Sequence, residues 1–439
     1  MTGARGPVLP VLVPATGGLL FGYGTAAIAG VLPLVAERYG LSAWLQGVVV
    51  SAALLGAALT APTSGRLADR FGRRPVIMAA AAAFAAGTAV SAVADGPAVL
   101  VLGRFLVGLA LGAVSFAVPL YLAEISPPER RGSVVTINQV MITVGMLAAY
   151  LVPYALQSGG AWRWVLAVGI VPAVVLLAGM AAVPESPSWL AGVGRVGPAR
   201  AAAAALGLPP VPAEGAAAAP EPGGATGFRA ALAAAGRRRV ALGLGIAVLV
   251  HLTGLNTAIY YAPTILAASG FTHAGSVLGS VLVGVCNLVA GLVSMALLDR
   301  GGRRPLMVGG LAVMAATAAA VAAAQLVGAG GGATVLLLCV FILAGAVGPA
   351  PVFWVFAAEI YPRRARGALM SLATAAHWAA DFVVASTFLP LVRALSLGGA
   401  FVVYAAVTLT AALLLARWMP ETKGISLDDS NTPTPVARV

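Results

Sequence analysis

Charge is scarce in this chain. Only 9% of its 439 residues are Asp, Glu, Lys or Arg, 60% are apolar, and lysine occurs once, at Lys423. A soluble domain of this length has too little polar surface to cover so much apolar side chain, so lipid is the solvent for most of it. Cysteine is nearly absent as well. Cys286 and Cys339 both fall inside apolar runs, which excludes a disulfide framework and a thiol-rich metal site. There is also no glycine-rich phosphate loop ending in Lys-Ser or Lys-Thr, so no nucleotide is implied; no cofactor and no metal are expected. The few charges still sum to +12. A basic balance can serve nucleic acid, but here the arginines sit in short turns between apolar runs, where membrane orientation accounts for them. We expect the lipid bilayer as partner, and no nucleic acid.

Long apolar runs are what the chain has instead. Mean hydropathy is +0.97, and about twelve runs reach the roughly 20 residues that a bilayer core requires. They cover about 9–34, 43–65, 75–95, 97–121, 133–155 and 163–183, then 240–268, 274–298, 305–327, 334–358, 367–392 and 397–419. The first carries motif residues and no cleavage site, so it reads as a span rather than a signal. Arginines crowd the turns after even-numbered runs, among them Arg66, Arg70, Arg131, Arg237, Arg300 and Arg366, while the opposite loops hold little beyond Arg38, Arg163 and Arg393. The positive-inside rule then places both termini in the cytoplasm. Residues 191–239, rich in Ala, Pro and Gly, read as a linker with one short helix near 198–206, and 424–439 as a loose tail. Gly103, Gly108 and Gly112 repeat at helical spacing, which suits either close static packing or helices that slide.

The chain repeats itself. Gly65-Arg66-Leu67-Ala68-Asp69-Arg70-Phe71-Gly72-Arg73-Arg74-Pro75 returns as Leu298-Asp299-Arg300-Gly301-Gly302-Arg303-Arg304-Pro305, and Ala123-Glu124-Ile125 through Arg131 returns as Ala358-Glu359-Ile360 through Arg366. A weaker pair is Pro184-Glu185-Ser186 and Pro420-Glu421-Thr422. Asp69 and Asp299 are 230 positions apart, Glu124 and Glu359 235, Glu185 and Glu421 236. A near-constant offset in one order means two copies of one design, related as a parallel repeat. The expected architecture is an all-α membrane protein of twelve transmembrane helices in two six-helix bundles, 1–190 and 240–423, joined by the linker.

These motifs, with Gly103-Arg104, Pro119-Leu120-Tyr121, Gly254-Leu255-Asn256, Tyr260-Tyr261-Ala262-Pro263 and Lys423-Gly424, resemble the sugar porter branch of the major facilitator superfamily. The resemblance covers nearly the whole chain except 191–239. It implies a monomeric, multi-pass transporter of a cytoplasmic membrane, not an enzyme, that moves a sugar or sugar-like small molecule by alternating access. It also implies a gate in which Glu124 and Glu359 meet Arg70, Arg73 and Arg74, or Arg300, Arg303 and Arg304, with Asp69, Asp299, Arg131 and Arg366 nearby. Gln139, His251, Asn256, Asn287, Trp354 and His377 fall at the family's substrate-binding positions. Amides suit polyols because each both donates and accepts, and an indole face covers the C–H face of a sugar.

Several positions depart from the family pattern. Val250 and His251 stand where relatives carry two glutamines, Ala346 where facilitative members carry a glutamate, and His377 and Asp381 where amides are usual. Gly24 stands where proton-coupled relatives carry an aspartate paired to the arginine matched by Arg104. Glycine takes up no proton, so uniport is the simplest expectation. The alternative is a proton-coupled symporter, or an exporter of a sugar-like or cationic metabolite, working through Asp381 and His377, four residues apart on one helix face. The same two residues also suit substrate binding or a structural pair. A membrane sensor that binds without transporting is a reading from another class; 191–239 and the tail offer it no signalling domain.

Overall fold

The computed structural model describes residues 9–127, 131–156, 161–209, 228–329 and 331–423. Among them are eighteen α-helices and no strand. In chain order these are α1 (Leu9–Tyr39), α2 (Ala43–Phe71), α3 (Arg73–Ala92), α4 (Pro97–Glu124), α5 (Arg131–Ala155), α6 (Trp162–Ala167), α7 (Ile170–Ala182), α8 (Pro187–Gly192) and α9 (Val196–Ala205). There follow α10 (Phe228–Ala235), α11 (Arg237–Leu252), α12 (Leu255–Tyr260), α13 (Ala262–Ala268), α14 (His273–Gly301), α15 (Arg303–Leu326), α16 (Gly331–Val347), α17 (Pro349–Ile360) and α18 (Arg363–Trp418).

Among the described residues eleven helical stretches are long and apolar enough to cross a bilayer, and the last, Ala365–Trp418, holds two spans. It is interrupted at Ser396, whose φ of 66° leaves the helical region. The Ser396 hydroxyl accepts from the Gly399 amide at 3.3 Å, capping the helix that follows. That makes twelve spans, as the apolar runs imply. Three spans are broken rather than continuous: α6 with α7, α11 with α12, and α16 with α17. The expected linker helix is α9; α8 and α10 flank it and are not foreshadowed by the composition.

Apolar side chains face outward as well as inward. On α14, Leu278, Leu282, Val285, Val289 and Leu292 are exposed at spacings of three and four, an apolar stripe for hydrocarbon, while Ser276 and Ser280 are buried. With lipid outside, apolar surface gives helices little reason to associate, so close backbone approach has to do it. In α4 a Cβ at Gly108 would land on the Ala53 carbonyl oxygen, and one at Gly112 would lie 2.7 Å from that of Ala57; Gly103 faces Ser91 and Gly87 of α3. The repeated glycines of α4 therefore serve two neighbours, α2 and α3.

The helices form two compact units, one of Met1–Ala27, Ala52–Ala149 and Ala161–Pro222, the other of Ile28–Ser51, Tyr150–Gly160 and Gly223–Val439. In the first, Phe84, Leu111, Val114, Tyr121 and Met180 belong to one buried cluster. In the second, Phe341, Phe353, Phe356, Phe388 and Phe401 are among the largest fully buried side chains.

Gly108→Val is expected to cost at least about 1–3 kcal/mol, because the clash is with backbone that cannot rotate away. Gly309→Ala, where a Cβ meets nothing within 4 Å, is the control. Thermal unfolding in detergent should separate the two; equal melting temperatures would contradict the packing described.

Candidate functional site

The repeated charged turns build two matching clusters. In the first unit Gly72 (φ 98°) turns the chain from α2 into α3, and a Cβ there would strike the Glu185 carboxylate, so both the dihedral and the space call for glycine. Arg73 is buried. Its guanidinium lies 2.9 Å from Glu124 and 3.1 Å from Asp69, and donates to the Ala68 carbonyl at 3.0 Å. Glu185 accepts from the Arg73 and Arg74 amides at 3.2 and 3.1 Å, so it caps the start of α3. Arg74 returns the favour, donating to the last-turn carbonyls Met180 and Ala181 of α7 at 2.8 and 2.7 Å.

The second unit repeats this with Gly302 (φ 79°) at the turn. Arg303 lies 2.7 Å from Glu359 and donates to the Leu298 carbonyl at 3.1 Å. Glu421 accepts from the Arg303 and Arg304 amides at 2.9 and 3.1 Å, and Arg304 donates to the Ala416 carbonyl. The Thr422 hydroxyl adds a 2.6 Å bond to Glu359, and Lys423 donates to the Arg300 carbonyl at 2.8 Å. Of the arginines expected to meet the two glutamates, Arg73 and Arg303 do. Arg70 is exposed over the Phe71 ring. Arg366 donates to the Tyr361 carbonyl at 3.3 Å. The side chains of Arg131 and Asp299 lie outside the described residues. The capping roles of Glu185 and Glu421 were missed in the sequence, although the 236-residue offset between them marked the pair.

A third cluster is buried within the second unit. Gly254, in the left-handed region at φ 79°, separates α11 from α12 and presents Asn256 and Tyr260 one turn apart. Asp381 of α18 is 1% exposed. Its Oδ2 accepts from Asn256 Nδ2 at 3.0 Å and from the Tyr260 hydroxyl at 2.9 Å; its Oδ1 lies 3.2 Å from His251 Nδ1. His251 Nε2 then meets His377 Nδ1 at 2.8 Å. Phe353 stacks on His377 at 5.0 Å, and the rings of Trp354 and Trp378 stand 5.0 and 5.3 Å from it. The structure therefore corrects one pairing. The imidazole against Asp381 is His251, and His377 is reached through it. Trp354 keeps 39% of its surface exposed. Asn287 is buried on α14, and Gln139 is exposed on α5 of the first unit. Tyr260, quoted in a motif but given no role, is a direct partner of Asp381; its spacing of four from Asn256 was the available signal.

Position 24 is closely packed. A Cβ on Gly24 would lie 2.5 Å from the ring edge of Phe84, which is 1% exposed. Arg104, equally buried, donates to the Gly24 carbonyl at 2.7 Å.

The fold and the paired charged turns define a secondary transporter of the major facilitator type. The family model described as "Sugar (and other) transporter" matches residues 11–432. A galactose-proton symporter of Escherichia coli K12 is 37% identical over 431 residues, 94% of this chain and 91% of that protein. The major myo-inositol transporter IolT of Bacillus subtilis is 36% identical over 440 residues, 95% and 92% of the two chains. The partially occluded inward-open structure of the xylose transporter XylE from E. coli superposes with a TM-score of 0.82 at 28% identity, covering 95% of this chain and 99% of that one. The chain belongs to the sugar porter family of the major facilitator superfamily, and is a multi-pass membrane transporter rather than an enzyme.

Two predictions follow from this geometry. Burial pushes the Glu185 carboxyl up, past what the amides and Arg73 do to lower it; at the more exposed Glu421 burial also raises, but four amide bonds prevail and hold it below the usual range. The Glu421 contribution is present above the ordinary carboxylate range and lost as pH falls through its folded value, whereas that of Glu185 is present at low pH and lost as pH rises. On acidification the Arg303 and Arg304 amides should lose hydrogen-exchange protection before those of Arg73 and Arg74; simultaneous loss would contradict this. Separately, Gly24→Asp should lower thermal stability in detergent, with Phe84→Ala restoring part of it, since the ring occupies the space a carboxyl needs. A fully tolerated Gly24→Asp would count against that packing.

Proposed function

We propose that the chain moves a monosaccharide or related polyol across the cytoplasmic membrane by alternating access, as a monomer with both termini inside. The observation that carries this is the exposed indole of Trp354 beside His377, with the Asn256 amide in the same cluster. That is a flat aromatic face next to groups that donate and accept, the chemistry a ring of hydroxyls requires. Galactose, myo-inositol and xylose, named for similar proteins, all have that chemistry. Gln139, His251 and Asn287 complete the proposed binding set. The Arg73–Glu124 and Arg303–Glu359 clusters gate alternating access by holding the helix ends of each half together. Position 24, taken by itself, supports uniport.

Counterflow of labelled pentoses, hexoses and cyclitols in proteoliposomes tests the reading. At least one should exchange, and Trp354→Ala should raise its KM about tenfold, equivalent to about 1.4 kcal/mol. Exchange of no sugar, or an unchanged KM in the variant, would overturn it and bring export of another metabolite forward.

A further inference from the structure

We infer that Asp381, His251 and His377 form a proton relay that couples transport to protons in place of the missing acid at position 24; this rests on the transport reading above. The argument begins with burial. Asp381, His251 and His377 are 1%, 3% and 9% exposed, on spans that cross the bilayer. An ionised carboxylate there must have its lone pairs met, and three donors meet it: Asn256, Tyr260 and His251. Among the described residues no arginine or lysine pairs with it, so its charge is answered only by groups that hydrogen-bond or titrate.

The contacts constrain the protons. With Asp381 ionised, His251 donates its Nδ1–H to the carboxylate and accepts at Nε2. His377 then donates from Nδ1 and leaves its own Nε2 bare. The cluster carries one negative charge. A proton bound at His377 Nε2 breaks the His377 Nδ1–H bond and forms His251 Nε2–H. His251 becomes an imidazolium that donates from both nitrogens, and His377 becomes the acceptor. The cluster is now neutral, every hydrogen bond is kept, and no heavy atom has moved. Switching between anionic and neutral states inside a low-dielectric body is what a coupling acid has to do.

The other groups packed around the relay do not compete for the proton. From α12, Asn256 and Tyr260 face the carboxylate, and Tyr261, just past its end, donates to the Ala385 carbonyl at 2.7 Å. From α17 come the rings of Phe353 and Trp354. From α18 come Trp378, against His377, and the buried Tyr404, whose ring stacks on Phe388. The burial of Asp381 separates a relay from direct recognition of a cationic sugar: it is 1% exposed, and both its oxygens face protein donors. Asp381 is therefore no part of the substrate contacts.

Two measurements test the relay. In proteoliposomes the wild type should accumulate a labelled sugar above equilibrium only under an inward-directed proton gradient, and Asp381→Asn should lose at least tenfold of that accumulation while counterflow persists. Counterflow with accumulation indifferent to the gradient would make the protein a uniporter and overturn the inference, as would accumulation undiminished in Asp381→Asn. The second readout needs no substrate, so failure of the sugar reading stays distinguishable. Protonation of the relay beside Trp354 and Trp378 should quench their emission in a pH titration. The transition should vanish in His377→Gln and move at least one unit lower in Asp381→Asn. A wild type without a transition, or one unchanged in both variants, would overturn the relay whatever sugar is carried.

Discussion

A charge buried in a membrane protein must be answered where it stands, and that constraint orders the polar architecture of this protein. Arg73 and Arg303 are each held by a glutamate and a backbone carbonyl, and Asp381 by an amide, a phenol and an imidazole. Removing one member of a buried ion pair costs about 3–5 kcal/mol, because the remaining charge cannot reach water. Such groups therefore come as complete sets. The arginine clusters tie three helix ends together in each unit, and the Asp381 set ties α11, α12 and α18.

The two arginine clusters also show what repetition preserves. The glycine turn, the buried arginine, the glutamate that pairs it and the glutamate that caps the next helix recur with nearly the same hydrogen bonds. Environment is what differs. Glu185 is the more buried and its carboxyl is pushed up, whereas Glu421 is exposed and its four amides hold it down. One design placed at two depths gives carboxylates of opposite acid response.

Much of this was legible in the sequence. Span count, repeat and family followed from apolar run length and from motifs at a constant offset, since bilayer thickness and backbone turns act locally. The glutamate–arginine clusters were legible for the same reason, although only as sets of three arginines around each glutamate; the structure selects Arg73 and Arg303. The inner cluster was not. His377 and Asp381 stand four apart on one helix and look like a pair, but packing against α11 puts His251, 126 positions from His377, between them. Local spacing predicts that two side chains share a face, and only tertiary contact decides which neighbour reaches the carboxylate first. Phe84 filling the space beside Gly24 was equally hidden, because glycine records an absence and not what occupies it. The break at Ser396 was placed to within a few residues by composition, although nothing marked that serine for a positive φ.

The packing at Gly24 and the cluster at Asp381 bear on each other. At Gly24 the Phe84 ring stands where a Cβ would go, Arg104 donates to the Gly24 carbonyl, and a cavity lined by Tyr23, Thr88, Ser91 and Arg104 lies beside them. The chain's buried titratable set lies in the second unit, and its outermost member is the imidazole that borders Trp354. In the proposed relay, that placement puts the ring that takes up the proton beside the indole proposed to hold the sugar. An unprotonated His377 nitrogen accepts from a hydroxyl, a protonated one donates to it, and every polyol hydroxyl does both but with different partners in each case. In the proposed relay, proton state and substrate orientation would thus be set at one ring.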